Sequence, residues 1–411
     1  MQTLKHLLLT IIIPGICFCT ANPAIAQWSQ TTAPILYWYS IASSADGSQL
    51  LAAPDGAQLY SSTNSGSTWL PKNSPNAAWT GVASSADGTK LYGIGEVLDS
   101  SFNVDYNVYF SPDSGNTWNL TTSSTTLPWW KVACSADGTR AVAVCNYGPV
   151  FTTSDSGSNW VQATDLTSTG FWEGCASSAD GRVMAAVSFA QPTGYVAIST
   201  NYGVNWSVNN NAPQNRYWMD IACSASGKQM VAVADTGPYQ AATIFTSLDW
   251  GNTWSSDNDA PTNSWDAVAC SADGKRMVAG SGNGYEYQQI YVSTNSGTNW
   301  VLTDAPTADW AGVACSTDGG KMYAVVGEHN ITGPIYQAHV VVAPKLKITP
   351  AANGAAISWT VPSTNFVLQQ SSSLIAPNWT TVTNAPTVTN VKEQVIVPST
   401  NPQSFFQLQS E

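Results

Sequence analysis

Short apolar runs separated by turn residues follow one another along most of this 411-residue chain. The segments 82–84 and 90–92 are typical, because they flank Asp87 and Gly88. Asp-Gly between two apolar stretches is a strong hairpin signal, since both turn residues need positive φ. Stretches with the period of an amphipathic helix are absent from the sequence. The pattern therefore predicts an all-β chain built from hairpins.

A tryptophan opens the first half of a repeat that occurs seven times. This half reads Trp-x-x-(Val/Ile/Cys)-Ala-(Ser/Cys)-Ser-x-(Asp/Ser)-Gly, and consecutive copies lie 41 to 50 residues apart. The second half reads (Ser/Thr)-x-(Asp/Asn)-x-Gly-x-(Thr/Asn)-Trp and occurs six times. Two hairpins per repeat give four strands, A to D, and a four-stranded unit at this period predicts a propeller blade. The opening tryptophans are Trp38, Trp79, Trp129, Trp172, Trp218, Trp265 and Trp310, and the closing ones are Trp69, Trp118, Trp160, Trp206, Trp254 and Trp300.

The seventh repeat lacks its second half, and the N-terminal part of the chain offers the missing strand. Residues 335–337 should form strand C of the last blade, but no second half follows them. Trp28 precedes Trp38 by ten residues, the same spacing that separates Trp300 from Trp310. We therefore predict that residues 27–32 form strand D of the last blade. This pairing would close a seven-bladed ring and cover two raw sheet edges.

The first 26 residues have the pattern of a signal peptide. Lys5 and His6 form a short basic region, and the apolar segment 7–19 is too short to span a bilayer. Residues 24–26 provide a small-x-small cleavage site. We expect the mature chain to begin at Gln27, to have no membrane span, and to be secreted, at the cell surface or periplasmic.

The charge of the chain limits the kinds of partner that it can bind. The net charge is −12, and charged residues make up only 10% of the chain. Nucleic acid is an unsuitable partner, because neutralising phosphates needs clustered Lys and Arg. After the predicted signal peptide the histidines are His329 and His339, and the residues around them lack the spacing of metal ligands. We expect a monomer with no metal and no cofactor.

Six cysteines follow the predicted cleavage site. Four of them occupy one repeat position, where the other copies have Ser. A position that accepts Ser or Cys is a small buried site, whereas a disulfide framework needs paired positions. We therefore expect free thiols. The four equivalent residues are Cys134, Cys223, Cys270 and Cys315, and the other two are Cys145 and Cys175.

The second half of the repeat matches the Asp-box motif, which residues 111–118 contain in full. Residues 28 to about 342 resemble Asp-box (BNR, sialidase-like) repeat propellers. Such boxes occur in sialidases, xyloglucanase-type glycosidases, sortilin-type receptors and photosystem II assembly-factor propellers. The whole repeat is most similar to non-catalytic secreted bacterial Asp-box proteins. The resemblance implies that the box is structural and lies away from the ligand site. We expect the Asp residues of the boxes and of the A–B turns to form turns.

The sialidase resemblance also implies three arginines that grip a substrate carboxylate. Arg140, Arg182 and Arg276 instead follow A–B turns, one per blade, and only Arg216 lies in a D–A loop. We therefore predict that the arginines do not converge and that the chain has no catalytic centre. The alternative is a divergent glycoside hydrolase, which needs two carboxylates across a cleft. Its candidate acids are Glu96, Asp99, Asp105, Glu173, Asp220, Asp235, Asp266, Glu286 and Glu328.

The B–C loops vary from blade to blade, and variable loops on a rigid scaffold are where specificity is built. Their aromatic residues are mixed with amides and acids, a combination that suits a carbohydrate or a peptide. We predict a non-catalytic binding scaffold for carbohydrate or protein ligands, and an assembly factor for a membrane complex is a further hypothesis. The candidate ligand-binding residues are Tyr106, Tyr147, Tyr195, Tyr239, Tyr285 and Tyr287, with Phe189 among them.

The propeller pattern ends near residue 343, and residues 344–411 predict a separate small β domain. Turn residues there separate short alternating segments, as in a β-sandwich. The segment resembles the fibronectin-III-like terminal modules of large secreted bacterial proteins. The predicted strands are 356–361, 366–370, 379–382, 394–397 and 405–408.

Overall fold

A computed structural model describes the chain as an all-β protein in two compact units, Ala26–Val340 and Met1–Ile25 together with Val341–Glu411. Within the described residues no helix is long and apolar enough to cross a membrane. The described residues are 16–19, 26–98, 104–121, 127–166, 170–189, 194–235, 243–256, 259–282, 288–327, 331–340, 346–351, 354–360, 366–373, 378–384, 387–388, 392–398 and 404–410.

The unit Ala26–Val340 contains seven four-stranded antiparallel sheets among its described residues. The strands A of neighbouring sheets contact each other around a central channel, which makes each sheet one blade of a propeller. Strands A to D are Trp38–Ser43, Leu50–Pro54, Tyr60–Ser62 and Leu70–Pro71 in blade 1; Ala78–Ser84, Leu91–Leu98, Val104–Ser111 and Asn119–Leu120 in blade 2; Trp129–Cys134, Ala141–Cys145, Val150–Thr153 and Val161–Gln162 in blade 3; Trp172–Ser177, Met184–Ser188, Val196–Ser199 and Ser207–Val208 in blade 4; Tyr217–Cys223, Met230–Asp235, Ile244–Ser247 and Ser255–Ser256 in blade 5; Trp265–Cys270, Met277–Ser281, Ile290–Ser293 and Val301–Leu302 in blade 6; and Trp310–Cys315, Lys321–Val326, Ile335–Val340 and Ala26–Gln30 in blade 7.

The repeated tryptophans form the core of each blade. All seven tryptophans of the strands A are fully buried. In blade 2 the ring of Trp79 lies 6.4 Å from that of Trp118, which precedes strand D. Blade 3 repeats this contact between Trp129 and Trp160 at 5.9 Å. Burying such large rings between strands A and D supplies much of the apolar contact within a blade.

The predicted ring closure is confirmed. Ala26–Gln30 pairs antiparallel with Ile335–Val340 and forms strand D of blade 7. Trp28 lies opposite Ala338, and its ring is 6.3 Å from that of Trp310. Trp28 therefore makes the same contact with a strand-A tryptophan that the box tryptophans make in the other blades.

A circle of seven backbone hydrogen bonds joins the A–B turns of the blades. Each turn donates one N–H to the carbonyl of the equivalent residue in the next blade, and the N–H of Thr317 in blade 7 donates to Ala45 in blade 1. The seven N···O distances lie between 2.7 and 2.9 Å. The bonds run from Ala45 to Ala86, Ala136, Ala179, Ala225, Ala272 and Thr317, and back to Ala45.

The other unit contains two four-stranded sheets among its described residues. Their facing side chains share a core that includes Ile357, Trp359, Leu368 and Phe406. Ile16–Cys19, inside the predicted signal peptide, pairs parallel with the last strand, so cleavage would remove this strand. The sheets are Lys347–Ala351, Gly354–Thr360, Lys392–Pro398 and Thr387–Val388, and Ile16–Cys19, Ser404–Ser410, Phe366–Ser371 and Thr380–Thr381.

Candidate functional site

The propeller has two faces of different construction. The face that we call the turn face carries the A–B turns and the boxes, which bond directly to each other: Ser65 donates its N–H to the carbonyl of Ser48 at 2.9 Å, for example. The face that we call the loop face carries the B–C and D–A loops. These loops bridge neighbouring blades, as between Gly148 and Gly170.

The side chains of each box are occupied within their own turn. Asp113 accepts the N–H of Thr117 at 2.8 Å and the hydroxyl hydrogen of Ser111 at 3.0 Å. The Ser111 hydroxyl in turn accepts the N–H of Gly115. These bonds, that of the Thr117 N–H above all, lower the pKa of Asp113. The carboxylate therefore holds the turn and is not presented to a ligand.

The acids of the A–B turns do the same work. Asp180 accepts the Ser178 hydroxyl at 2.6 Å and the Arg182 N–H at 2.9 Å. In blade 1 the N–H of Ser48 and the hydroxyls around Asp46 lower the pKa of that carboxyl to about 2. A carboxylate held by several donors favours its charged form, so these acids stay ionised as turn formers.

The arginines do not converge, as the sequence predicts. Arg140 lies over the ring of Tyr202 at 4.5 Å, in the box of the next blade. Arg276 donates to the carbonyl of Asp318, and Arg182 lies 3.8 Å from Asp180. Arg216 on the loop side lies over the ring of Phe245 at 5.4 Å.

The central channel encloses about 270 Å³ and is lined by the strands A. Its wall includes Lys131 in blade 3 and Asp220 in blade 5. Asp220 accepts the N–H of Ile221 at 2.9 Å and that of Val268, in blade 6, at 3.0 Å. Burial raises the pKa of Asp220, while the charge of Lys131 acts against the rise. We predicted Asp220 as a loop-face acid, but it is a channel residue that ties blade 5 to blade 6.

The cysteines of the propeller are free thiols with a raised pKa. The six cysteines whose side chains are described are free, as predicted, but the four at the repeat position are half-buried, so this position is less enclosed than the sequence predicted. Burial raises the pKa of Cys134, Cys223 and Cys315 to about 12. A thiol with so high a pKa is a poor nucleophile and a poor metal ligand at neutral pH. Within the described residues, His, Cys, Asp and Glu form no group of three or more suited to a metal ion.

Two acids on the loop face lie side by side although their sequence positions do not suggest it. Asp266 of blade 6 and Asp309, in the loop that enters blade 7, both flank Gly282. Asp309 is only 2% exposed. Sequence analysis missed Asp309 because it lies one residue before a repeat tryptophan, where the other blades have no acid.

The other predicted acids that the structure describes belong to three blades, with Glu96 and Asp105 in blade 2, Glu173 in blade 4 and Asp235 in blade 5. Glu96 bonds to the Tyr106 hydroxyl in the long hairpin of blade 2, and burial raises the pKa of Glu96. Glu173 lies within 3.4 Å of the Asn146 amide, across the boundary of blades 3 and 4. Asp99, Glu286 and Glu328 lie outside the described residues.

Aromatic pairs cross two blade boundaries on the loop face. The rings of Tyr147 in blade 3 and Phe171 at the entry to blade 4 are 4.0 Å apart, and those of Phe189 and Tyr217 are 4.6 Å apart across blades 4 and 5. Tyr147 is 66% exposed. The predicted residues Tyr106, Tyr147 and Tyr195 thus come from three successive blades, 2, 3 and 4. Tyr239, Tyr285 and Tyr287 lie outside the described residues.

Backbone conformation singles out three aromatic residues. Four of the eight non-glycine residues with positive φ among the described ones are serines of the boxes. Tyr147, Tyr202 and Trp250 adopt the same conformation at φ of 64°, 66° and 59°. For bulky side chains this conformation costs energy, and such strain is concentrated at functional sites.

Charge is divided unequally between the faces. The described cations of the A–B turns are Lys90, Arg140, Arg182, Lys228, Lys275, Arg276 and Lys321, and the acids of the same face are Asp46, Asp87, Asp113, Asp137, Asp155, Asp180, Asp249, Asp273 and Asp318. The described acids of the loop face are Asp55, Glu96, Asp105, Glu173, Asp235, Asp266 and Asp309, and the described cation there is Arg216. Asp165, Asp259 and Asp304 lie in D–A segments but bond to boxes or to Trp28, and the side chain of Lys72 lies against the box of blade 2. The turn face therefore mixes both signs of charge, whereas the loop face is strongly acidic.

No family model matches the chain, and no curated protein matches it. Solved structures do. The chain is similar to YCF48 bound to D1 peptide, with 14% identity and a TM-score of 0.54 over 78% of this chain and 99% of that one. It is also similar to the GH74 xyloglucanase from Xanthomonas campestris, with 12% identity and a TM-score of 0.57 over 82% of this chain but 59% of that one. A third similar structure is the β-propeller domain of Cps50 (Swd1) from Myceliophteria thermophila, with 13% identity and a TM-score of 0.56 over 77% of this chain and all (100%) of that one. At such identities the likeness shows the fold, and the chain is a β-propeller.

Proposed function

We propose that this propeller is a non-catalytic binding scaffold whose loop face binds a peptide or protein segment rich in basic side chains. The observation that carries the proposal is the exposed Tyr147, which adopts a strained conformation beside Phe171 on the acidic face. A rigid aromatic ring gives contact area at low entropic cost, and acidic surroundings attract cationic ligands. The YCF48 structure, which holds a D1 peptide, supports a peptide ligand by analogy.

The experiment compares ligand classes on the full chain. Peptides that combine Lys or Arg with aromatic residues, matched peptides with Glu in place of the cations, and a glycan array are tested for binding. The proposal expects binding of the basic peptides only, with affinity that falls as salt rises. Tyr147→Ala should weaken binding about tenfold or more if the ring is an anchor residue. Leu70→Ser on the outer rim is the control and should bind normally.

Binding of glycans and not of peptides would show that the proposed ligand class is wrong, although the chain would still be a binding scaffold. Basic peptides that bind Tyr147→Ala as tightly as the parent chain would contradict the site. An assembly factor for a membrane complex is a narrower form of the same proposal, and recovery of one defined membrane partner by pull-down would support it.

A glycoside hydrolase is the second candidate, favoured by the pair Asp266 and Asp309. Two neighbouring carboxyls are what glycosidic hydrolysis needs, but the burial of Asp309 does not fit an open cleft. Incubation with xyloglucan, other glucans and sialosides tests it. Turnover by the parent chain that Asp266→Asn and Asp309→Asn abolish would replace the scaffold proposal.

The predicted signal peptide supports a location outside the cytoplasm. Mass spectrometry of the protein made in a secreting host should find an N-terminus at Gln27. A mature protein that retains residues 1–26 would contradict this location.

A further inference from the structure

Two neighbouring boxes on the turn face differ from the other four. At their variable positions the boxes of blades 1, 2, 3 and 6 carry Ser, Thr, Asn or Pro. Blade 4 carries Tyr202 and Val204 there, and blade 5 carries Leu248 and Trp250. The four side chains are 42%, 74%, 52% and 39% exposed in that order. We call these four residues the aromatic patch.

The patch lies on the turn face of two neighbouring blades. Tyr202 and Trp250 donate their N–H groups to the carbonyls of Arg182 and Lys228, which fixes both residues on the turn face. The box of blade 5 is joined to blade 4, because Asn209 donates to the carbonyl of Gly251 at 2.7 Å. Neighbouring exposed apolar side chains on one face mark interaction sites more often than scattered ones do.

The aromatic residues of the patch are held at a conformational cost. Tyr202 and Trp250 have φ of 66° and 59°, at the box position where four other blades have serine. Serine meets the needs of this turn, so the turn does not explain the large rings. Strain that the fold does not require is a reason to look for a function.

Cations cover one side of each ring. Arg140 lies 4.5 Å from the centre of the Tyr202 ring, and Lys228 lies 5.4 Å from that of Trp250. Blade 5 lacks the A–B turn acid of the other six blades, because it has Ser226 there, and the carboxylates of Asp180 and Asp249 are held by donors of their own turns. The patch is thus an apolar, cation-rimmed area on a chain whose net charge is −12.

We propose that the aromatic patch is a docking surface for a partner protein that presents apolar side chains surrounded by carboxylates. Tyr, Trp and Arg are the residues most enriched at the energetic centres of protein interfaces. Arg140 and Lys228, which lie against the two rings, form the rim that the carboxylates of the partner would meet. This surface lies on the opposite face from Tyr147, so the scaffold would hold two partners at once.

The composition of the patch favours a protein over a glycan. Val204 and Leu248 are aliphatic, and sugar hydroxyls need hydrogen-bonding groups around the rings. The nearby box groups are already used, since Asp249 accepts from Ser247 and Thr253. Apolar area with an ionic rim is the arrangement of a protein interface.

The test uses the full chain and a random peptide library displayed on phage. Peptides are selected on the parent chain and then compared on Tyr202→Ser with Trp250→Ser. The control is Leu70→Ser with Val161→Ser, which removes similar exposed area from the outer strands of blades 1 and 3. The proposal expects peptides with Leu, Phe or Trp beside Asp or Glu. Their affinity should fall about thirty-fold or more on the patch variant and stay unchanged on the control.

The melting temperature shows whether the rings of Tyr202 and Trp250 stabilise the fold or are free to bind a partner. Serine suits the positive φ of both positions, so the patch variant should melt no lower than the parent chain. The proposal is overturned if the selected peptides bind the patch variant as well as the control. It is also overturned if only glycans on an array lose binding to the patch variant, or if that variant unfolds at a clearly lower temperature with peptide binding unchanged.

Discussion

The two faces of the propeller use their polar residues in opposite ways. On the turn face, each Asp is bonded to the donors of its own turn, and the same arrangement recurs from blade to blade. On the loop face, polar and aromatic residues differ between blades and contact each other across blade boundaries. Repetition therefore indicates residues that build the ring. Departure from repetition, including the aromatic patch on the turn face itself, indicates residues that the ring does not need.

The largest expected effect comes from breaking the ring on which both faces rest. Deleting residues 27–34 removes the strand opposite Ile335–Val340 and the contact between Trp28 and Trp310. We expect the free energy of unfolding to fall by at least about 3 kcal/mol, as for truncation of one large core aromatic residue. Urea unfolding followed by tryptophan fluorescence measures the change. Trp28→Ala should give a smaller loss in the same direction, and an unchanged midpoint for the deletion would refute the closure as a stabilising element.

A pair of single substitutions compares the faces directly. Ser178→Ala removes a fully buried hydroxyl that donates to Asp180 and accepts the N–H of Val183, so we expect a loss of about 1–3 kcal/mol. Tyr147→Ala on the loop face should change stability by less than about 0.5 kcal/mol. Both values come from urea unfolding of the two variants. Equal losses would mean that the loop face contributes to the fold as much as the turn face does.

Acid titration should separate the two kinds of carboxyl. The folded chain lowers the pKa of Asp46 from 3.8 to about 2, so the stability that this carboxylate contributes is present above about pH 4 and is lost as the pH falls toward 2. Folding raises the pKa of Asp220, so the folded chain favours the protonated carboxyl of this residue. The stability that Asp220 contributes is therefore present at low pH and weakens as the pH rises above 3.8. Melting temperature is measured against pH for Asp46→Asn and Asp220→Asn. The melting temperature of Asp46→Asn should fall less on acidification than that of the parent chain. The melting temperature of Asp220→Asn should rise relative to that of the parent chain as the pH rises. Parallel curves for both variants would contradict these assignments.

The smallest effect is expected at the thiols. Because burial raises the pKa of Cys134, Cys223 and Cys315 to about 12, a thiol reagent at pH 8 should label the folded chain very slowly and leave its melting temperature unchanged. Unfolding in guanidinium should make all the thiols react. Fast labelling of the folded chain would show that the channel is more open to solvent than the structure indicates.

The sequence predicts those features of the fold that recur from blade to blade. Trp28 could be assigned to blade 7 because its spacing from Trp38 matches that of other blades, and the structure confirms its contact with Trp310. Asp220 was misjudged, since it occupies a variable position of strand A whose side chain bonds to the backbone of blade 6. That bond depends on how two blades meet, which no single repeat encodes.

The candidate sites also depend on how neighbouring blades meet, and the sequence reveals only part of this. The aromatic residues of the patch could have been noticed, because the boxes align and only two of them carry large side chains at these positions. The B–C loop of blade 1 has the same length as that of blade 3 and carries Gly56, with φ of 69°, at the position of Tyr147. Aligning these two loops could therefore have indicated the positive φ of Tyr147. The meeting of Asp266 and Asp309 at Gly282 needs the geometry between blades 6 and 7, which spacing along the chain does not supply.

The circle of hydrogen bonds among the A–B turns imposes a closure condition on the whole molecule. Each bond sets the register of one blade against the next, and the seventh forms only if the six earlier offsets bring Thr317 back level with Ala45. A one-residue insertion in any A–B turn would displace both the donor and the acceptor of that turn, so it would disturb two of the seven bonds. The number of blades is discrete because the circle must close. An added or lost blade changes the angle of every bond at once, so the ring tolerates change in its loops far more readily than change in its count.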